Sequence, residues 1–447
     1  MHDGGHVDRE YRNSLSLYSQ AELLFPYGTQ LLARNPRLAA FGEAPIYFER
    51  AKDAHFWDVD GNEFIDCGMG LQPATLGYCY EPVDQAVKAQ IDKGVLGTIN
   101  NAVEVEMAKA ICDMVPCGEM VKFCKSGAGA CAIAVRLARG YTGKDVVLFC
   151  GYHGWHDWYL AANLESDSAL DEHLRPGIIP KGVPSALAGT SVPFEYNSLD
   201  SLTDALGKYE GKVACIVMEA VRYQEPENGF LEGVRQLADD YECTLIFDEI
   251  ATGFRVAAGG AQEYYGVTPD LAILAHAIGN GYPLAAVAGK KEIMRSQYDN
   301  FISSTYYSDT VSLAAGVAVL NELRTKPVVE TINRNGKVLR DGIAASIEKH
   351  GVKAKVAGRS DHFILSLDYG DQNDKVHTLY MQEMISRGIY WVGGWFMCFT
   401  HTQQDIHRIL AANDEAFEFV AKAIERNEVE EMLRAPVRET VSTRPDE

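Results

Sequence analysis

The sequence predicts an α/β fold: a mainly parallel sheet covered by helices, with a smaller α+β domain beside it. Three observations lead there. Between about residues 120 and 290, apolar runs (MVKFC, DVVLFC, VACIVMEA, TLIFDEI, DLAILAHAI) alternate with helix-periodic ones (ACAIAVRLAR, LEGVRQLADDY), the pattern of strands buried on both faces. Beyond about residue 325, helical stripes take over, Leu339, Ile343 and Ile347, then Ile406, Ile409, Leu410, Phe417, Val420 and Ile424, around short strands such as HFILSLD. The 447 residues, 47% hydrophobic and 23% charged, suffice to bury both cores.

Taken in order, the first twenty residues are polar and read as an arm, of the kind that packs on a partner subunit. IYFER (46–50), HFWD (55–58) and EFID (63–66), with Asp60-Gly61 between the last two, predict a small β-meander. After Pro82, Val83, Val87 and Ile91 recur at helical spacing and form one apolar stripe. The expected division is an arm and part of the smaller domain over 1–80, a large domain over 81–325, and the rest of the smaller domain over 326–447. The last twenty residues, EVEEMLRAPVRETVSTRPDE, are charged and read as frayed.

Against 41 Lys+Arg stand 62 Asp+Glu, a net charge of −21. Such a field repels phosphate backbones and anionic lipid, so neither nucleic acid nor membrane is expected as a partner. The ten cysteines form no CxxC pair and read as buried free thiols, with no metal site. No basic stretch leads into an apolar run, and no apolar run reaches about 18 residues, so the cytoplasm is the expected compartment.

In a parallel sheet ligands gather at the carboxyl ends of the strands. The polar residues there are Ser126, Tyr152, His153, Glu219, Asp248, Glu249 and His276. KSGAGACAIAVRLAR sets small residues between a strand and a helix, where backbone N–H groups and the helix dipole can hold one phosphate. It also fits GxGxxA at Gly127, Gly129 and Ala132, but a dinucleotide site needs an acid ending the next strand, where Cys150-Gly151 stands. A tight turn without a ligand is the third possibility. GYHGWHDWY suits stacking on a planar ring or an aromatic corner of the core; His156-Asp157, being adjacent, is poorly placed to aim at one metal ion. Asp248, ending the apolar TLIFDEIATGFR, could keep a pyridine nitrogen protonated, or could cap a helix and pair with Arg255. A lone His276 before Gly279 and Gly281 equally fits a satisfied core residue.

Together these segments resemble the class III, fold-type I pyridoxal-phosphate enzymes, most closely the glutamate-1-semialdehyde aminomutase-like aminotransferases. The resemblance runs in order over roughly residues 22 to 425. It rests on HFWDVDGNEFIDCGMGL, KSGAGACAIAVRLARGYTG, YHGWHDW, FDEIATGFR, AIGNGYPLAAVAG and SSTYYSDTVSLAAG. It implies pyridoxal 5'-phosphate and pyridoxamine 5'-phosphate as cofactors, a homodimer, and amino transfer between an amino donor and a small carbonyl or keto-sugar compound. By position, Ser126, Gly127 and Ala128 would hold the phosphate, and Thr305 would reach that of the neighbouring subunit. Tyr152 would stack on the ring, Asp248 would meet its nitrogen, and Ile250 would pack on the other face. His153 and Glu219 would line the substrate side, with Arg222 receiving a carboxylate or phosphate, or forming a surface salt bridge.

Two positions depart from the family pattern. Gly129 replaces an acid of the phosphate loop, and His276 stands where the Schiff-base lysine is expected. Imidazole forms no such imine but can move protons. Lys290 and Lys291 lie past another predicted strand. Three forms are consistent with His276: a lysine-replaced aminotransferase that traps or no longer turns over its adduct, a natural pyridoxamine-phosphate enzyme using His276 as base in the manner of sugar dehydratases, and a non-catalytic homologue. A nicotinamide oxidoreductase built on GAGACA is the rival class.

Overall fold

The computed structural model describes residues 9–439. β1 (Phe48–Lys52), β2 (His55–Asp58) and β3 (Glu63–Asp66) form an antiparallel meander. Its second turn is built by Asp58, whose Oδ1 accepts the N–H groups of Asp60 and Asn62. Seven strands follow: β4 (Met120–Cys124), β5 (Val146–Cys150), β6 (Ser191–Pro193), β7 (Val213–Met218), β8 (Thr244–Asp248), β9 (Leu271–Leu274) and β10 (Ala285–Gly289). They make one sheet in the order β4-β10-β9-β8-β7-β5-β6, parallel except for β10, which runs against both its neighbours. Finally come β11 (Ala354–Gly358), β12 (His362–Leu367), β13 (Ile389–Tyr390) and β14 (Gly394–Phe396). β13 joins β3 in parallel, Ile389 opposite Ile65, while β11, β12 and β14 form a separate antiparallel sheet.

The described residues fall into two units, one running up to Tyr80 and resuming at Glu330, the other being Glu81–Val329. In the latter, the central strands are buried on both faces, which is why they read as unbroken apolar runs. Val217, Ile246 and Ile273 pack with the helix Gly127–Thr142. Ile216, Leu245 and Phe247, on the opposite face, pack with the helices Leu199–Lys208 and Phe230–Asp240. Each such side chain contributes roughly 1.5–3 kcal/mol on burial.

Four expectations are corrected. In the helix Glu81–Ile91, Val83 and Val87 are buried, but Ile91 is exposed and Gln90 takes the last inward place. Eight residues at 100° each drift about 80° off the stripe, whereas seven return within about 20°. The start of the chain is not apart from the core: Arg12–Leu24 is a helix that buries Tyr18 and Ala21, with the Tyr18 ring 5.5 Å from that of Phe41. Residues 1–8 of the expected arm lie outside the described residues. Nor is the tail frayed as far as Glu439, because its charges are paired: Arg438 donates to Asp374 at 2.8 Å and Arg434 to Glu383 at 3.0 Å. The last eight residues lie outside the described residues. The cysteines are free thiols, but Cys79 is exposed and Cys112 only half-buried. No described helix is long and apolar enough to cross a membrane.

Candidate active site

β4 runs through Lys125 into Ser126, which caps the helix Gly127–Thr142: its Oγ accepts the Gly129 N–H at 3.1 Å and its carbonyl that of Ala130 at 2.9 Å. The N–H groups of Gly127 and Ala128 have no acceptor within the helix. Gly127 allows a close approach: a Cβ there would lie 2.6 Å from Ile250 Cδ1, the far end of a side chain that can shift. The turn after β5 packs equally closely: a Cβ on Gly154 would lie 2.5 Å from that of Ala128.

At the end of β5, Gly151 adopts φ +110°, open only to glycine, and turns the chain so that the Tyr152 ring is exposed. The Tyr152 N–H donates to Glu219 Oε2 at 3.0 Å, and Tyr159 Oη donates to the Gly151 carbonyl at 2.8 Å. Glu219 follows β7. Burial pushes its carboxyl up, against the pull of Arg222, whose Nε stands 3.7 Å away. Arg222 also donates to the His173 carbonyl at 3.0 Å, so it is more than a surface salt bridge.

β8 ends on Asp248. Its Oδ1 accepts the Ile250 N–H at 3.0 Å, and its Oδ2 lies 2.8 Å from His153 Nδ1 and 3.6 Å from Cys131 Sγ. His153 Nε2 faces the Cys150 carbonyl at 3.2 Å. A carbonyl only accepts, so Nε2 carries a proton, and a second proton lies between Nδ1 and Oδ2. Hydrogen bonding therefore accounts for the closeness of Cys131, His153 and Asp248, whose ligand atoms lie within 4.8 Å of one another. His153 is fully buried, held by Asp248 and the Cys150 carbonyl, and does not line an open substrate side. The helix-capping acid is Glu249, not Asp248: it accepts the N–H groups of Ala261 at 2.7 Å and Gln262 at 3.0 Å, and the Thr252 hydroxyl.

His276 follows β9 in a short 3-10 turn, at φ +47°, a strained value for a residue with a Cβ. Burial lowers its pKa to about 4; Asp248 opposes the shift and Arg255 adds to it. β10, running backwards, carries the chain to the amino ends of the parallel strands, with Gly289 opposite Leu271. There Lys290 is ion-paired to Asp270 at 2.6 Å and Lys291 opens the helix Lys291–Met294. Lys125, at the carboxyl end, is ion-paired to Asp309. Thr305 is exposed at the start of the turn Thr305–Ser308.

The fold thus gathers the Ser126 cradle, Ile250, Tyr152, His153, Glu219, Arg222 and Asp248 at one end of the sheet, with His276 in electrostatic reach of Asp248. Sequence reasoning missed Cys131, Tyr159 and His173. Cys131 follows Gly127 by one helical turn and could have been found by periodicity; His173, in an irregular stretch, carried no pattern.

A seven-stranded sheet of this order, with a helix N-terminus and a buried acid at its carboxyl end, is the arrangement of the fold-type I transferases dependent on pyridoxal phosphate, which the chain's family and structural neighbours share. The model of the class-III aminotransferases matches residues 39–394, and the chain belongs to that family. It is 32% identical to the 3-aminobutyryl-CoA aminotransferase of Cloacimonas acidaminovorans over 423 residues, covering 92% of this chain and 98% of that one. It is 34% identical to the glutamate-1-semialdehyde 2,1-aminomutase of Syntrophobacter fumaroxidans, covering 90% and 96%. Among solved structures, the FumI protein of Sphingopyxis sp. MTA144 in its PLP form superposes with a TM-score of 0.85 at 26% identity, covering 96% of this chain and 99% of that one.

Proposed function

We propose that this protein is a pyridoxal- or pyridoxamine-phosphate-dependent aminotransferase of the aminomutase-like group. It would move an amino group between an amino donor and a small carbonyl or keto-sugar compound, with His276 in the place of the family's lysine. The observation that carries this reading is Asp248, buried at the end of β8 and proton-linked to His153, at the same sheet end as the Ser126 cradle.

The residues present fit the cofactor. Ser126, Gly127 and Ala128 would hold its phosphate at the positive end of the helix, in a cradle that a side chain at position 127 would crowd. Tyr152 and Ile250 would take the two ring faces, and Asp248 would keep a proton on the ring nitrogen. When bound, the cofactor supplies the electron sink for amino transfer. Glu219 and Arg222 would lie on the substrate side. His276, neutral at neutral pH because burial lowers its pKa to about 4, would accept a proton from the substrate carbon only as a weak base. Among the described residues, Lys290 and Lys291 sit at the far end of β10 and Lys125 is held by Asp309, so none of these three would take the lysine's place. The cofactor would then be held without a covalent bond, and amino transfer would be slower by several orders of magnitude.

A homodimer completes the reading, with Thr305 reaching the neighbouring phosphate. Its support is a set of exposed apolar side chains: Phe301 and Tyr306, on either side of Thr305 in sequence, with Ile99 and Val105, the last lining a groove with Ser304 and Tyr307. The free thiols support a reducing cytoplasm.

The test is an absorbance scan with pyridoxal phosphate and then pyridoxamine phosphate, followed by borohydride treatment and mass analysis. Tight binding of the pyridoxamine form with no lysine modified is expected, and His276→Lys should gain a reducible link at that position. Absence of binding by either form, a modified lysine in the unaltered protein, or a His276→Lys variant that behaves no differently would overturn it.

A further inference from the structure

The stretch 165–189 contains no strand, and its only regular piece is the turn Ser185–Leu187, yet it is firmly built. Asn163, buried, accepts the Leu170 N–H at 2.9 Å and donates to the Ile178 carbonyl at 2.8 Å. Leu170 is fully buried in the core cluster, and the Leu174 N–H returns to its carbonyl at 2.8 Å. This fixes His173, whose ring stands edge-on to Phe149 with centroids 5.3 Å apart.

The His173 side chain reaches into the site. Its Nδ1 accepts the Gly151 N–H at 3.1 Å, and its own carbonyl is held by Arg222. An Nδ1 that accepts carries no proton, so the ring is neutral with its hydrogen on Nε2. The peptide groups around Tyr152 are then held at three points: Gly151 N–H by His173, Gly151 C=O by Tyr159, and Tyr152 N–H by Glu219. Glycine at 151 is free in φ, so without these anchors the turn has no stereochemical reason to keep one orientation.

We propose that His173 is a positioning residue, a hydrogen-bond acceptor that fixes the Gly151–Tyr152 turn and hence the plane of the Tyr152 ring offered to the cofactor. The link to the cofactor rests on the proposed function; the fixing of the turn does not. Protonated His173 would set an N–H against the Gly151 N–H, so the acceptor exists only in the neutral ring. Burial, with the charges of His153 and Arg222 facing it, lowers the His173 pKa to about 4.

Two variants separate the acceptor from the ring. His173→Phe keeps the packing on Phe149 and removes the acceptor; His173→Gln keeps an acceptor. Amide hydrogen exchange over residues 149–155 of the ligand-free protein should quicken about tenfold at Gly151 in His173→Phe and stay within about threefold in His173→Gln. Corrected for intrinsic rates, exchange there should rise below about pH 4 in the unaltered protein but not in His173→Gln. Titration with pyridoxamine phosphate should show about tenfold weaker binding and a shifted absorbance band in His173→Phe alone. Unchanged Gly151 exchange in His173→Phe, or equal harm from both variants, would overturn the fixing of the turn. Faster exchange with undisturbed pyridoxamine phosphate binding and band would overturn its link to the ring. Failure of the unaltered protein to bind pyridoxamine phosphate would sink the proposed function, leaving exchange at Gly151 to decide the role of His173.

Discussion

Two adjacent carboxylates at the end of β8 are both buried, in different company. Glu249 is met by two backbone N–H groups, the Gln262 amide and the Thr252 hydroxyl, donors that oppose the upward push of burial on its carboxyl. Asp248 has one backbone donor, and otherwise faces His153 and Cys131, both able to give up or take a proton. Asp248 closes β8 and Glu249 is the first residue beyond it, so consecutive positions hold a proton-linked acid and a structural anchor. A buried charge is costly on either side, and the identity of its partners, not its burial, separates support from chemistry.

The sharpest way to break this contrast is to neutralise each acid in turn. Asp248→Asn should weaken pyridoxamine phosphate binding about a hundredfold in a titration while leaving the melting temperature nearly unchanged, as expected for a lost charge-assisted contact of about 2–3 kcal/mol. Glu249→Ala should do the reverse, costing about 3 kcal/mol in urea unfolding because buried N–H groups lose their acceptor, with affinity per folded molecule preserved. Equal effects of both on stability and binding would erase the distinction.

A smaller effect is expected at Gly127. A methyl group there meets the far end of the Ile250 side chain, which can rotate away, so Gly127→Ala should lower pyridoxamine phosphate affinity about fivefold at little cost in stability. A drop in melting temperature as large as that of Glu249→Ala would show that the cradle is structural after all.

The least effect contrasts two histidines. His276 is depressed by burial, whereas His55 is raised by Asp405 at 3.1 Å and Glu63 at 2.9 Å. A raised folded pKa means stability fully present below the ordinary value of 6.5 and lost as pH rises through the folded value. His55→Asn should therefore cost about 1 kcal/mol near pH 6 and much less near pH 9. Asp405 has the opposite sign: its share is present above its ordinary 3.8 and lost as pH falls toward about 2. A pH-independent loss in His55→Asn would assign the residue a packing role only.

Much of this was legible in the residues. The apolar runs of β5, β7, β8 and β9 betrayed the sheet because strands buried on both faces need no alternation, and strand ends then pointed to Ser126, Tyr152, Glu219, Asp248 and His276. β6, three residues long and ending in Pro193, carried too little pattern to be seen. The burial of His153 was hidden because its partner is Asp248, 95 positions on. Glu249 as a helix cap depended likewise on Ala261 and Gln262, a dozen positions on, and His173 on an irregular stretch that only tertiary anchors define.

The pairing of β3 with β13 also has a temporal side. On the ribosome, the whole stretch Glu81–Val329 emerges before Ile389 exists to meet Ile65. The larger unit can therefore fold as synthesis proceeds, since domains generally fold as units and the earlier-made ones first. The β1–β3 meander must wait with an open strand edge until nearly the whole chain has been made. A stall in translation between Val329 and Ile389 would leave that edge exposed, the state in which strand edges invite aggregation.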